Sequence, residues 1–235
     1  MISRLWHRSS TLHTRGISST GEAKANKKDD ELNRASEGEI LKVGADIGQC
    51  TRMPSIVTDL NELVSSGARF STIYADPPWE YANTAARGAA ENHYQTMSLD
   101  KLCSLPVKEL TAIDCHLHLW VTNPLLPIAF EVIDACGFSY RSCFVWVKPQ
   151  IGMGNYWRVS HEFLLFAIKG RLPFLDNAQR SWALIKRRRH SEKPYAVREI
   201  IERVSPGPYL ELFGRRELPN SQWTVFGNQV ERMLF

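Results

Sequence analysis

The sequence FSTIYADPPWEY, residues 70–81, changes character in its middle. Its first half is an apolar run of the kind that forms a buried strand. Prolines cannot extend a strand ladder, so the strand must end before Pro77 and Pro78. A carboxylate, Asp76, and a large aromatic ring, Trp79, flank the two prolines. The stretch therefore predicts a core strand over residues 70–75 that ends in a rigid, polar segment.

From about residue 52 onward, strand-like and helix-like segments alternate. Bulky and β-branched runs predict further strands over residues 115–122, 140–148, 161–170, 209–214 and 223–226. Apolar residues at helical spacing predict helices over residues 98–110, 125–137 and 193–205. The end signals of these helices are an N-cap at Ser98, a C-cap at Gly137 and a first-turn Pro194. This alternation predicts an α/β domain with a mostly parallel sheet and helices on both faces.

Composition limits the class of protein. The chain has 235 residues, is 43% hydrophobic and carries a net charge of +4, a mild basic bias that permits a nucleic-acid partner. Its five cysteines are odd in number and none has CxxC spacing, which argues against a disulfide framework or a zinc site. We therefore expect no metal, a reducing compartment such as the cytoplasm, and no membrane span.

The first 50 residues differ from the rest. Residues 1–20 contain Arg4, Arg8 and Arg15, several Ser and Thr, and no acid, and residues 21–45 are charged and poor in aromatics. We interpret residues 1–50 as a basic, disordered tail and linker, and residues 51–235 as the catalytic domain. The alternative for residues 1–20 is a mitochondrial presequence, which would move the protein from the cytoplasm to mitochondria.

The Asp-Pro-Pro-Trp segment suits chemistry on an exocyclic amine of a nucleobase. Such an amine is a poor nucleophile because its lone pair is delocalised, and accepting hydrogen bonds from its two N–H groups returns electron density to nitrogen. Asp76 offers a carboxylate acceptor, and Pro77 offers a rigidly held carbonyl. Trp79 offers a face on which an extruded base can stack. The alternative is a strand-to-loop turn with a buried tryptophan.

The chain also resembles a known family. DPPW resembles the amino-methyltransferase signature, and its surroundings resemble the adenine-methyltransferase family named after the catalytic subunit of the eukaryotic mRNA N6-adenosine methyltransferase (MT-A type). The resemblance covers roughly residues 54–230, in family order, through the blocks HYQTMSLDKL, LHLWVTN, FVWVKP, HEFLLFAIKG, HSEKP, ERVSPGPYLELFGRR and WTVFGNQV. It implies a Rossmann-like S-adenosylmethionine-dependent methyltransferase fold with permuted motif order, in a compact form like that of prokaryotic and phage members.

The resemblance also implies roles for individual residues. The catalytic residues would be Asp76, Pro77, Pro78 and Trp79. The cofactor would be S-adenosylmethionine, held by Lys193, Phe213, Gly214, Arg215, Asn228 and Gln229. Tyr94 and Glu162 match positions that face the target adenosine, although Glu162 could equally cap a strand. A lysine suits the cofactor carboxylate, and side-chain amides suit hydroxyls and ring nitrogens.

Two basic segments predict contact with nucleic acid. The segment KPQIGMGNYWRVS, residues 148–160, mixes glycines and aromatics with Arg158. The segment IKRRRH, residues 185–190, is the densest basic cluster and supplies three further substrate-binding candidates, Arg187, Arg188 and Arg189. The alternative for this cluster is a solvated surface run.

The sequence therefore predicts an S-adenosylmethionine-dependent methyltransferase acting on adenine N6 in nucleic acid, with DNA favoured over RNA because of the compact, prokaryote-like form. One alternative is a catalytically inactive nucleic-acid-binding partner of an active methyltransferase. Another is an enzyme that methylates a different amine, such as cytosine N4 or a small-molecule amine. Whether the chain works as a homo- or heterodimer is left open by the sequence.

Overall fold

A computed structural model describes residues 56–80, 96–152, 156–187, 192–215 and 222–227 of the chain. Within these ranges the central element is an eight-stranded sheet. Its strands are β1 (Ile56–Val57), β2 (Phe70–Ala75), β3 (Thr111–Val121), β4 (Ser139–Val147), β5 (His161–Lys169), β6 (Trp182–Leu184), β7 (Tyr209–Leu212) and β8 (Trp223–Phe226). They lie in the order β1-β8-β7-β2-β3-β5-β4-β6.

Strand directions confirm a mostly parallel sheet. Strands β1, β8, β7, β2 and β3 pair with one another in parallel, and β4 pairs in parallel with β6. The exception is β5, which runs antiparallel to both of its neighbours, β3 and β4. The direct connection from β4 to β5 explains this, because a parallel pair needs a longer crossover that carries the chain back across the sheet.

Helices cover both faces of the sheet, as predicted. They are α1 (Leu60–Ser65), α2 (Leu99–Cys103), α3 (Val107–Leu110), α4 (Leu126–Ala135) and α5 (Tyr195–Val204), with a short 3-10 turn at Asn123–Leu125. Buried residues of α1 to α4 pack with Ile73 and Leu117, whereas Val197 and Ile201 of α5 pack with Tyr74 and Trp120. Because alternate strand residues face opposite sides of a sheet, these two clusters are the two halves of the core.

The predicted elements differ from the observed ones mainly at their ends. The helix predicted over residues 98–110 is two short helices, because Pro106 has no N–H to continue the first helix and instead caps α3. Ser98 and Pro194 occupy N-cap positions, so Pro194 precedes α5 rather than lying in its first turn. Gly137 follows α4 with a φ of 79°, the left-handed conformation expected at a helix end. β1, α1 and β6 were not predicted.

The parallel strands end at one edge of the sheet, and this edge carries the candidate site. Ala75 at the end of β2 lies opposite Leu212 of β7 and Leu119 of β3. The backbone N–H of Asp76 still reaches the carbonyl of Leu212, at 3.4 Å. Across the described part of the chain, no helix is long and apolar enough to cross a membrane.

Candidate active site

The Asp-Pro-Pro-Trp motif leaves β2 as a firmly held segment. The backbone N–H of Trp79 donates to the carbonyl of Pro77 at 2.9 Å, which closes a tight turn. The carbonyl of Pro78 accepts from the N–H of Met97 at 2.7 Å, and Trp79 forms an isolated parallel bridge with Met97. The two prolines fix their own φ angles, and these hydrogen bonds fix the rest of the segment.

The side chain of Trp79 anchors this segment in the core and does not present an open ring face. Its side chain belongs to the core on the α1–α4 face, and the residue is only 6% exposed. Its indole Nε1–H donates to the carbonyl of Trp120 in β3, at 3.0 Å. A stacking platform needs an exposed ring face. The stacking role predicted for Trp79 is therefore at odds with its burial, and the alternative of a buried tryptophan fits the structure.

Beside the motif lies a cluster of four alternating charges, drawn from four different parts of the fold. The Nζ of Lys193, two residues before α5, lies 2.6 Å from the Oδ1 of Asp76 and 3.5 Å from the Oε2 of Glu162 in β5. Glu162 also pairs with Lys148, which directly follows β4. The fold thus brings Asp76, Glu162 and Lys193 together, and adds Lys148 to them.

Mutual attraction keeps Lys193 and Glu162 ionised in spite of their burial. Burial alone would lower the pKa of Lys193, but Asp76 and Glu162 outweigh it and hold that pKa above its ordinary value. Burial alone would raise the pKa of Glu162, but Lys193 and Lys148 outweigh it and hold that pKa below its ordinary value. Glu162 is therefore a permanent anion near neutral pH and Lys193 a permanent cation.

Two tryptophans form a floor beneath the lysines. The Nζ of Lys193 lies 5.5 Å from the ring centroid of Trp120, and that of Lys148 lies 4.4 Å from the ring centroid of Trp146. The two indoles meet edge to face at 6.0 Å. Trp120 Nε1–H donates to the hydroxyl of Tyr74 at 2.7 Å. Aromatic faces attract cations, so this floor holds both ammonium groups in place.

A second buried ion pair lies on the neighbouring strand. Glu211 of β7, which is opposite Tyr74 of β2, pairs with Arg198 of α5. Burial raises the pKa of Glu211 and the negative charge of Asp76 adds to this, while Arg198 opposes both. This ion pair connects α5 to β7, the strand that neighbours β2.

Three predicted cofactor residues follow β7 at the same edge of the sheet. Phe213 takes a φ of 66°, and Gly214 donates its backbone N–H to the carbonyl of Phe226 at 3.0 Å. A Cβ on Gly214 would collide with the side chain of Val225, so the chain passes directly against β8 there. Arg215 comes next and is half-buried. These positions keep the predicted cofactor segment adjacent to Asp76.

Other predicted residues lie on exposed segments or outside the described ranges. Arg158 and Arg187 are exposed, on the segments that follow β4 and β6. Tyr94, Arg188, Arg189, Asn228, Gln229 and residues 1–50 fall outside the described residues. In the described ranges, no group of three or more His, Cys, Asp or Glu side chains is placed to hold a metal ion.

Sequence reasoning missed Lys148, Trp120, Trp146 and Tyr74. The sequence did point to Lys148 as a candidate, because it is a lone charge directly after a strand of bulky residues, FVWVK. Its partner could not be identified, because that depends on the antiparallel pairing of β4 with β5. In this pairing Trp146, two residues before Lys148, lies opposite Glu162.

The α/β fold places a charged Asp-Pro-Pro-Trp site at the carboxyl ends of parallel strands, where open α/β sheets bind their ligands. The sequence profile of the MT-A70 family matches residues 70–229. The chain therefore belongs to the MT-A70 methyltransferase family.

Individual relatives agree with this assignment. The chain is 32% identical over 184 residues to the type II methyltransferase M.MunI of a Mycoplasma species, covering 69% of this chain and 78% of that protein. It is 30% identical over 174 residues to an N(6)-adenosine-methyltransferase MT-A70-like protein of Drosophila melanogaster, covering 69% and 27%. It is 28% identical over 179 residues to the human N(6)-adenosine-methyltransferase catalytic subunit METTL3, covering 72% and 29%. The chain thus spans less than a third of these two animal relatives.

Proposed function

We propose that this chain transfers a methyl group from S-adenosylmethionine to the N6 amine of adenine in nucleic acid, with DNA favoured over RNA. The observation that carries the proposal is the position of Asp76, which opens an anchored Asp-Pro-Pro-Trp segment and lies 2.6 Å from Lys193 at the carboxyl end of β2. The names of relatives such as the Drosophila and human proteins, which specify N(6)-adenosine, support adenine as the target base.

The residues at this edge fit the proposed cofactor. S-adenosylmethionine would supply a methyl group bonded to a positively charged sulfur. Lys193 has three donor hydrogens, of which Asp76 and Glu162 use two, so one remains for a ligand carboxylate. Asp76 and Glu162 hold the Lys193 ammonium group in position for this contact. Phe213, Gly214 and Arg215 would hold the nucleoside part, together with Asn228 and Gln229 as the resemblance implies.

Asp76 and Pro77 would activate the acceptor amine. Lys193 donates to Oδ1 of Asp76, which leaves Oδ2 to accept one N–H of the base. The carbonyl of Pro77 accepts from Trp79 with one lone pair and retains the second for the other N–H. Because the segment is already held by the prolines, by Trp79 and by Met97, these acceptors need little reorganisation during transfer, which is the condition for strong electrostatic catalysis.

Glu162 and Lys148 would form the wall that faces the target base. Glu162 is ionised, so it can accept a hydrogen bond from a ring substituent, and Lys148 can donate one. Their mutual ion pair fixes both side chains, and the ring of Trp146 lies beneath Lys148. The preference for DNA follows the resemblance of this domain to prokaryotic members of the family. The match to the Mycoplasma type II methyltransferase, which covers 78% of that protein, supports this choice.

One experiment tests the proposal and its alternatives together. The protein is incubated with methyl-labelled S-adenosylmethionine and matched DNA and RNA oligonucleotides, and the digested nucleosides are analysed by mass spectrometry. We expect labelled N6-methyldeoxyadenosine, at a higher yield than N6-methyladenosine from RNA. Label on cytosine N4 would overturn the choice of base. Cofactor binding by calorimetry without any labelled product would favour the inactive partner subunit.

A further inference from the structure

Exposed aromatic side chains mark the segment between β4 and β5. Tyr156 is 95% exposed, Trp157 is 87% exposed and Ile151 is 73% exposed. Large apolar side chains grouped on a surface commonly mark an interaction site, because their exposure to water is unfavourable. None of the three belongs to either core cluster. Folding of the domain therefore does not account for them.

This segment projects from the wall of the candidate active site. The β4–β5 ladder continues past Lys148, with hydrogen bonds from Lys148 N–H to the carbonyl of Ser160 at 2.7 Å and from Gly152 N–H to that of Val159 at 3.0 Å. Trp157 is five residues from Glu162, which sets an upper limit of about 18 Å on the chain between them. The aromatic pair thus lies a few nucleotide lengths or less from the charge cluster.

Basic side chains are held beside the same segment. The residues after β6 lie alongside the residues that follow β4. Ile185 N–H donates to the carbonyl of Val147 at 3.0 Å, and Arg187 N–H donates to Oε1 of Gln150 at 3.4 Å. Trp146 fixes this path further by donating its Nε1–H to the carbonyl of Ile185 at 2.7 Å. Lys186 and Arg187 are both exposed there.

We propose that Tyr156, Trp157, Lys186 and Arg187, here named the flank surface, bind unpaired nucleotides next to the target adenine. The proposal rests on the proposed function and adds a substrate form to it, a locally single-stranded nucleic acid. Aromatic rings stack on bases whose faces are open, and lysine and arginine neutralise the backbone phosphates. Lysine is depleted at protein–protein interfaces, so the exposed Lys186 beside the rings favours nucleic acid over a protein partner.

Binding measurements without turnover test the flank surface. The probe is a fluorescently labelled single-stranded deoxyoligonucleotide with one adenine among thymines, titrated by anisotropy with the full chain. We expect Trp157→Ala to weaken binding about fivefold or more, the loss of one stack, and Tyr156→Ala with Trp157→Ala to weaken it further. Trp157→Phe should keep most of the affinity. A fully paired duplex should bind with no difference between wild type and these variants.

Controls separate this inference from the proposed function. Ile113→Ala removes an equally exposed apolar side chain from the amino-terminal part of β3 and should leave binding unchanged. The single-turnover rate with saturating oligonucleotide should also be unchanged in Ile113→Ala. If the double variant methylates like wild type and binds the oligonucleotide with unaltered affinity, the flank-surface proposal is wrong and the proposed function still stands. A change confined to oligomeric state, measured by light scattering, would overturn it in favour of a protein contact.

Discussion

Lys193 lies between two carboxylates from different strands, Asp76 at the end of β2 and Glu162 in β5. Each acid is close to a cation, so neither carries an uncompensated buried charge. The cost of burying ions is offset only when such partners are in place, and removing one partner leaves the others exposed to that cost. The cluster therefore behaves as a unit in stability as well as in the proposed chemistry.

Glu162→Gln should lower the free energy of unfolding by about 1–3 kcal/mol at pH 7, because Lys148 and Lys193 lose a charged partner. The folded-state pKa of Glu162 is lowered, so its contribution is present above its unfolded pKa of about 4.3 and is lost as pH falls through the folded value. Wild type and variant should therefore converge below that pH in urea unfolding measurements.

A matched control for this prediction is Glu199→Gln, which removes an exposed carboxylate from α5. It should change the free energy of unfolding by less than about 0.5 kcal/mol at every pH, as surface substitutions usually do. A constant gap between wild type and Glu162→Gln from pH 7 down to pH 3 would contradict the ion-pair account of the cluster.

Trp79 is expected to act through its anchor to Trp120. Trp79→Phe loses the hydrogen bond to the Trp120 carbonyl and should cost about 1–3 kcal/mol of stability. Trp79→Ala also leaves a large cavity and should cost about 3–5 kcal/mol. Both variants should lose transfer in proportion to the loss of order in the Asp-Pro-Pro-Trp segment. Stability equal to wild type in Trp79→Ala, with weakened base binding, would restore the stacking role.

For individual residues, the charged members of the site could be predicted from the sequence, but the exposure of the aromatic rings could not. Asp76 could be predicted because proline pairs end strands, and Lys193 and Glu162 could be carried over from family motifs. The exposure of Trp79 could not be predicted, since a ring that follows a strand end can turn inward or outward. Only the packing of β2 against β3 decides this, through the Trp120 carbonyl.

Among the elements, β3 is tied to the end of α5 by a buried polar chain. His116 Nε2 contacts the carbonyl of Leu172 at 3.1 Å, so this nitrogen carries the hydrogen and Nδ1 is the acceptor. Ser205 Oγ lies 2.9 Å from His116 Nδ1 and 2.9 Å from His118 Nε2. The serine therefore donates to His116 and accepts from His118. Burial lowers the pKa of both histidines, that of His118 to about 3, which keeps both rings neutral.

Ser205→Ala should destabilise the domain by about 1–3 kcal/mol or more, because it leaves ring nitrogens of both histidines without their partner in a buried site. Urea unfolding at pH 7 measures this effect. Ser142→Ala, an exposed serine of β4, is the matched control and should be close to neutral. A neutral Ser205→Ala would show that the histidines find other partners, and the described link between β3 and α5 would then carry little energy.

Strands of four or more residues could be predicted from the sequence, and the two shorter strands could not. β2, β3, β4 and β5 are bulky runs of six or more residues, and their strand periodicity is clear. β1 has two residues and β6 has three, so neither contains enough residues to show a period. These short strands form only because a longer neighbour, β8 or β4, offers them a ladder. The antiparallel direction of β5 also depends on its neighbours, so it could not be predicted from the sequence.

For the whole molecule, the modest net charge of +4 matters less than where the cations lie. Lys186→Gln together with Arg187→Gln should flatten the log–log salt dependence of single-strand binding by about 1.4, since each lost phosphate contact contributes about 0.7. Cofactor affinity should not change. Lys101→Gln with Lys108→Gln removes the same charge from the exposed surfaces of α2 and α3 and should leave the slope almost unaltered.

Equal slopes for these two double variants would mean that Lys186 and Arg187 act only through the overall field of the protein.

The division into residues 1–50 and 51–235 remains a prediction at this scale, as does the choice between a tail and a presequence. Among the described residues, the two core clusters extend from Val57 to Val225, and we expect residues 51–235 to fold without the first 50.

The account depends most on Asp76 as an acceptor for the target amine, and single-turnover methyl transfer by Asp76→Asn tests it most directly. We predict a fall in the transfer rate of about 100-fold or more, the usual effect of removing one well-placed group at a reaction centre. Cofactor affinity by calorimetry should stay close to wild type because Lys193 keeps Glu162 as partner. Asp100→Asn, an exposed acid in α2, is the control. Undiminished transfer by a folded Asp76→Asn protein would contradict the account.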